Sequence, residues 1–331
     1  MSISKGDPYP QDDAVPGAQV PEAFLITPQR GGRRLDPLVT RNGYHRGRRL
    51  IAFGWYGGKY SHLDWLLPLL PPAHHYCEPF GGSAAVLLNR PPSPVETYND
   101  LDGEVTNFFR VLRDQTEEIV KAIALTPFSR EEFELAVSPP EEDISDLERA
   151  RRFYVRARQA RTGLAQTATL GRWANCKNTS RRGMSGVVSR WLGSVDMLPD
   201  IAERLLRVQI ENRPAIEVIR LYDSPDTLFY CDPPYAPEAR GDRRAYGFEM
   251  DEASHKELAR VLHQCKGKVA VSGYQCSLME ELYGDWECIE APVKTCHSVK
   301  EPRREALWVN YRVEDRTEVQ GAMALWPVES T

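Results

Sequence analysis

The stretch TLFYCDPPY, residues 227–235, decides the fold. An apolar run of this length reads as a buried strand, and the two prolines that follow it fix the backbone and end it in a rigid turn. Working outward, further strands are predicted at 74–80 (HHYCEPF), 95–100 (VETYND), 207–212 (RVQIEN) and 268–274 (KVAVSGY). Helical patterns separate them. One covers Ser83–Asn89, a second carries Val105, Phe108, Phe109 and Leu112, and a third, Ala215–Tyr222, follows Pro214. A fourth spans Glu252–Cys265, with Ser254 and Glu257 spaced as a capping box. Strand and helix in alternation predict an α/β fold with a parallel sheet covered on both faces. WECIEAPV (286–293) and ALWVNYRV (306–313) have no helix between them, so an antiparallel edge pair is expected there.

One segment breaks the alternation. From 125 to 201 the chain reads as helices and polar loops, which predicts an insertion between two strands of the sheet. The charge follows the same division. With 42 Lys+Arg and 47 Asp+Glu, the 331 residues carry a net charge of -5, which excludes a uniformly basic protein. Yet the window Arg149–Arg190 holds ten Arg and one Lys with no Asp or Glu, so it carries +11 and the rest -16. A charge run is usually a solvated face, but solvated faces mix signs, and this one does not. No apolar run approaches the ~20 residues of a membrane span, and the N-terminus has no signal-peptide core. Seven Cys without a CxxC argue against a disulfide framework or a zinc site. Residues 1–49, Pro-rich and then Arg-rich, read as a disordered basic tail, and 316–331 as a second tail.

Four motifs carry chemistry. Asp232-Pro233-Pro234-Tyr235 holds a carboxylate and a free carbonyl beside an aromatic ring, which suits a planar amine: the ring stacks and two acceptors take two hydrogens. Glu78-Pro79-Phe80-Gly81-Gly82-Ser83-Ala84, at a strand end, lets backbone approach a ligand, although a Gly-Gly turn is often only a turn. Asp100 ends the next strand, where an acid can accept from ribose hydroxyls; a helix cap is the bland alternative, and Asp102 is the better cap candidate. Trp55-Tyr56-Gly57-Gly58-Lys59 brings an aromatic ring and an ammonium to one bend.

In this order, with Asn-Asp-Leu-Asp at 99–102 and a long insert before Asp-Pro-Pro-Tyr, these motifs resemble the D12 class of DNA adenine-N6 methyltransferases, in the flavour of phage and prophage members. The likeness runs from about Ile51 to about Tyr311. It departs at Ala84, where the family usually has the last Gly of Phe-x-Gly-x-Gly. The resemblance implies a Rossmann-like, S-adenosylmethionine-dependent methyltransferase sheet, built from 50–124 and 202–315, with a mainly helical target-recognition domain at 125–201. It implies that Trp55, Lys59, Glu78, Phe80, Gly82, Asp100 and Asp232 border the S-adenosylmethionine pocket. Asp232, Pro233 and Tyr235 would act on the flipped adenine.

The expected partner is double-stranded DNA, with no metal and no membrane, and a monomer or a weak dimer in the cytoplasm of a bacterial or phage-infected cell. A restriction-modification setting is compatible with this. Arg149, Arg152, Arg156 and Arg158 share one predicted helix face, and Arg161, Lys177, Arg181, Arg182 and Arg190 follow; all are candidates for DNA contact. Two other readings share the motifs: an RNA adenine methyltransferase, and a DNA-binding protein that keeps a methylase shell without turnover.

Overall fold

The computed structural model describes residues 49–166, 168–236, 249–292 and 305–313. Arg49 apart, both predicted tails lie outside these residues, as does most of the loop between the last two strands, with Cys296 and His297. The sheet has seven strands: β1 (His75–Glu78), β2 (Val95–Asn99), β5 (Val208–Glu211), β6 (Thr227–Cys231), β7 (Lys268–Tyr274), β8 (Glu287–Glu290) and β9 (Glu305–Val309). A small hairpin supplies β3 (Ser180–Arg181) and β4 (Met184–Ser185).

The strand order is β5-β2-β1-β6-β7-β9-β8. Pairings are parallel from β5 through β7, and β9 runs antiparallel between β7 and β8. The late strands therefore do form the antiparallel edge. Successive residues of the central strands alternate between two cores. Tyr76, Leu228, Tyr230, Ala270 and Leu307 face one side, and Cys77, Phe229, Cys231, Val271 and Trp308 the other. This is why the strands read as unbroken apolar runs.

The helices are α1 (Leu63–Leu66), α2 (Ala85–Asn89), α3 (Gly103–Asp114), α4 (Thr116–Leu125), α5 (Arg130–Val137) and α6 (Asp146–Gln159). They continue as α7 (Gly186–Val195), α8 (Leu198–Leu205), α9 (Ala215–Tyr222), α10 (Glu252–Leu262) and α11 (Ser277–Tyr283). The Asp102 side chain caps α3 by accepting from the Glu104 N–H, as its position predicted. The capping box expected at Ser254 is replaced. Asp251 caps α10, accepting from the Ser254 N–H at 2.8 Å, and Glu257 instead pairs with Arg260. The helix starts at Glu252, so Ser254 lies inside its first turn and its own N–H is one of the orphan donors that Asp251 satisfies.

The segment 125–201 shares its core with the sheet. Phe153 and Tyr154 of α6 meet Phe108 of α3 at ring-centroid distances of 5.6 and 5.5 Å, and Phe53 joins the cluster. Their burial welds α6 to the helical layer over the sheet.

Candidate active site

The strand order reverses between β1 and β6, and there a cavity of about 500 Å³ opens at the carboxyl ends of the strands. Trp55, Lys59, Glu78, Phe80, Gly82, Asp100 and Asp232 all line it. Residues of all four motifs thus meet in one place. Pro233 and Tyr235 are not among its lining residues. Tyr235 is buried behind it and reaches it through Lys59.

The loop after β1 is built by close packing. A Cβ on Gly81 would strike the Tyr98 ring at 2.1 Å, and one on Gly82 would strike the Trp55 indole at 2.6 Å. Gly82 also holds a φ of +48°, so two independent constraints require glycine there. Ala84 follows with a φ of 54°, the left-handed region. Its methyl group sits where an L-residue costs about 1–2 kcal/mol, the physical meaning of the departure from the family's glycine.

Asp100 secures this loop. Its two oxygens accept from the Gly82 and Asp102 N–H groups, each at 2.8 Å, leaving one lone pair on each for a ligand. Burial pushes its carboxyl up to about 6, against those hydrogen bonds. Glu78 is buried at the end of β1 and accepts from the Tyr76 hydroxyl at 2.6 Å. Burial drives its carboxyl up to about 8, so at neutral pH it is a neutral acid that can donate. The stability this protonation confers is fully present below the ordinary value of 4.5 and is lost as pH rises through about 8. Glu78→Gln removes that term. Relative to the parent, the variant should therefore melt progressively higher as pH rises from 5 to 8. A melting difference that stays constant with pH would show Glu78 to be ionised throughout.

At the end of β6, Asp232 takes both oxygens to Lys59: Nζ lies 2.6 Å from Oδ1 and 2.7 Å from Oδ2. Ser272 donates to Oδ1 at 2.7 Å, and Tyr230 bonds Ser272 in turn. The Lys59 ammonium also donates to the Gly57 carbonyl at 2.7 Å and lies 3.4 Å from Glu305 Oε1. It sits over the Tyr235 ring, 4.8 Å from the centroid. The Tyr235 hydroxyl donates to Glu305, and the Tyr235 ring meets Tyr274 edge-on at 4.7 Å. Burial lowers the Lys59 pKa, but two carboxylates outweigh it and hold the group charged. Burial pushes the Asp232 carboxyl up, and Lys59 opposes that.

Sequence reasoning missed Glu305, Ser272 and Gln166. Ser272 interrupts the apolar run of β7, a signal that was there to be read, whereas Glu305 heads β9 behind two arginines and reads as loop. Gln166 lines the cavity from the segment 125–201, with a buried side-chain oxygen that has no hydrogen-bond partner among the described residues.

The arginines divide into two groups, and the expectation of a free basic face on α6 is corrected. Arg149 pairs with Glu104 and Asp146, Arg152 with Glu141 and Glu148, and Arg156 with Glu104. The neighbouring Arg151 pairs with Glu132 and Glu148. The acid-free window borrows its acids from outside itself. Arg158, Arg181, Arg182 and Arg190 instead line one concavity of about 300 Å³ with Ser189 and Ser194. Arg161 and Lys177 are exposed. None of these six has an ion pair among the described residues. Arg182 and Gly183 take φ values of 55° and 73° at the β3–β4 turn, the pair of positive angles that a two-residue hairpin requires.

Among the described residues, no group of three or more His, Cys, Asp or Glu could hold a metal ion, and no helix is long and apolar enough to cross a membrane. The family model for D12 class N6 adenine-specific DNA methyltransferases matches residues 55–301. Two curated relatives, each named DNA adenine methylase, come from strains O395 and El Tor N16961 of Vibrio cholerae serotype O1. Each is 25% identical over 244 residues, covering 69% of this chain and 83% of the relative. The motifs, the mostly parallel sheet and the match over most of the chain agree: this chain belongs to the D12 class of N6 adenine-specific DNA methyltransferases.

Proposed function

We propose that the cavity takes S-adenosylmethionine and that Asp232 and the Pro233 carbonyl receive the N6 amine of an adenine flipped out of duplex DNA. The cavity's size, its place at the switch point and the glycine cradle under Trp55 fit such a cofactor. Asp232, Glu305 and Lys59 together carry one net negative charge, which complements a sulfonium. When bound, S-adenosylmethionine supplies an electrophilic methyl group. The Asp100 lone pairs are available to ribose hydroxyls, and neutral Glu78 can donate into the pocket.

The task left to this chain is the nucleophile. The N6 lone pair is conjugated into the ring and attacks poorly. Acceptance of both N6 hydrogens by Asp232 and Pro233 aims that lone pair outward, and the carboxylate stabilises the positive charge that grows on nitrogen. The base must leave the stack to get there, at a cost of a few kcal/mol. Stacking on Tyr235 offsets about 1–3 kcal/mol of it. The observation that carries this reading is the ammonium itself. Lys59 places a hydrogen-bonding nitrogen against Asp232 and over Tyr235, the two contacts that a target amine and its ring would make.

DNA contact is assigned to residues without an ion pair among the described residues: Arg158, Arg161, Lys177, Arg181, Arg182 and Arg190. Arg149, Arg152 and Arg156 are assigned to holding α6 in place. Incubating mixed-sequence duplex DNA with the protein and mapping N6-methyladenine gives the recognition site and tests methylation in one step. On that site, replacing Arg181 and Arg182 by alanine should shallow the slope of log affinity against log salt by about 2. An unchanged slope would remove the hairpin from the interface.

A further inference from the structure

We propose that Glu305 is a positioning residue that takes over Lys59 when the target amine claims Asp232; this rests on the site assignment above. The starting geometry poses the problem. Both Asp232 oxygens are bonded to the Lys59 ammonium and Oδ1 also to Ser272, so an entering amine finds one lone pair, on Oδ2, of a carboxylate whose charge Lys59 already neutralises. The Lys59 side chain is 3% exposed, and withdrawal of its charge through the protein interior is costly. A short route exists instead. Nζ already lies 3.4 Å from Glu305 Oε1. A charge-assisted bond closes at ~2.7–2.9 Å, so a slide of about half an ångström completes it.

Glu305 is built to receive that charge. Its carboxylate accepts from the Tyr235 hydroxyl, and its backbone is fixed in register with Tyr274, whose ring packs against Tyr235. The same Tyr235 ring lies under the ammonium. In this shift the strongest bond of Lys59 passes from one carboxylate to the other. With Nζ drawn toward Glu305, its two bonds to Asp232 lengthen without breaking, which opens acceptor capacity on a carboxylate still oriented by Ser272. Lys59 remains necessary after the shift. Without it two buried carboxylates would face each other, and such a pair holds back a proton that Asp232 must not carry.

This coupling has a signature that loss of packing lacks. On DNA bearing the mapped site, Glu305→Gln keeps the side chain's shape and its acceptor for Tyr235 but removes the charge. Single-turnover methyl transfer at saturating cofactor should fall on the order of 10-fold. In a Lys59→Ala background, the same substitution should cost nothing or raise the rate, because it separates the two carboxylates. Glu305→Asp, which retains the charge, should restore part of the loss. An equal fractional loss in both backgrounds overturns the inference. So does a Glu305→Gln rate within about twofold of the parent, or a Glu305→Asp rate no better than that of the Gln variant. Asp232→Ala, run alongside, keeps the two readings apart. Full activity there overturns the site assignment itself, whereas its loss beside an unaffected Glu305→Gln overturns only the role of Glu305.

Discussion

Asp232→Ala should lower methyl transfer by about 10²–10³-fold or more while leaving DNA affinity close to that of the parent. The carboxylate is the one group at the end of β6 that can both accept an N6 hydrogen and oppose the positive charge growing on nitrogen. The Pro233 carbonyl alone does neither job fully. The fold should tolerate the change. Lys59, freed of its partner, keeps the Gly57 carbonyl at 2.7 Å and lies 3.4 Å from Glu305, so no buried ammonium is left without an acceptor. The arginines assigned to DNA lie in the segment 125–201 and lose nothing. Asp232→Asn separates the two roles of the carboxylate. It keeps an acceptor and loses the charge, and should fall between parent and alanine. Transfer of tritiated methyl to duplex DNA reads all three proteins. Equal rates for Asp232→Ala and the parent would refute the mechanism.

The two kinds of information in this chain differ in how far they reach. Strand positions were legible because a sheet covered on both faces demands apolar runs, which TLFYC and the VAV of KVAVSGY carry, whereas VETYN buries Glu96, Thr97 and Asn99. The Asp102 cap was legible for a similar reason, since capping acts over two or three residues. The lining of the cavity was legible through motifs, each of which concentrates its chemistry in a few consecutive residues. What failed to show was pairing across the chain. Lys59 and Asp232 are 173 positions apart, and no local pattern states that one neutralises the other. The α6 arginines show the same failure with the opposite effect. Within their own window they had no acids, so they read as free, yet Glu104 from α3 and Glu132 from α5 reach across to them. Charge counted along the sequence describes composition, whereas a free face depends on which elements pack against it. Seven basic residues of the window, Arg172 among them, have no ion pair among the described residues, fewer than the +11 implied, and four of them line one concavity.

Glu96→Ala is expected to cost about 3–5 kcal/mol of folding stability, the largest such loss from a single substitution among the residues discussed. Glu96 lies on β2 with no exposed surface. Arg204 of α8 binds it with two nitrogens, at 2.6 and 2.8 Å, and uses the second of these nitrogens again on the Leu87 carbonyl. Arg90 stands 3.8 Å away and stacks over the Tyr76 ring; Arg207 stands at 3.6 Å, and the Ser93 N–H donates to the same carboxylate. One anion thus organises three cations from two parts of the chain, one of them the helix that returns from the segment 125–201 to the sheet. Its removal leaves the Arg204 guanidinium buried opposite a void, and the price is mostly that uncompensated charge. Against a total stability of ~5–15 kcal/mol, such a loss brings the protein near its unfolding threshold. Glu96→Gln keeps acceptors for the bonds and should lose less. Replacing Glu96 and Arg204 together by leucine removes both buried charges and should recover much of the loss, because a buried ion pair contributes little beyond a packed apolar pair. Denaturant unfolding of the three variants separates these terms. If the double variant is as unstable as Glu96→Ala, packing volume rather than stranded charge sets the cost. Methyl transfer at 25 °C by whatever fraction stays folded should match the parent, since Glu96 is not among the residues lining the cavity.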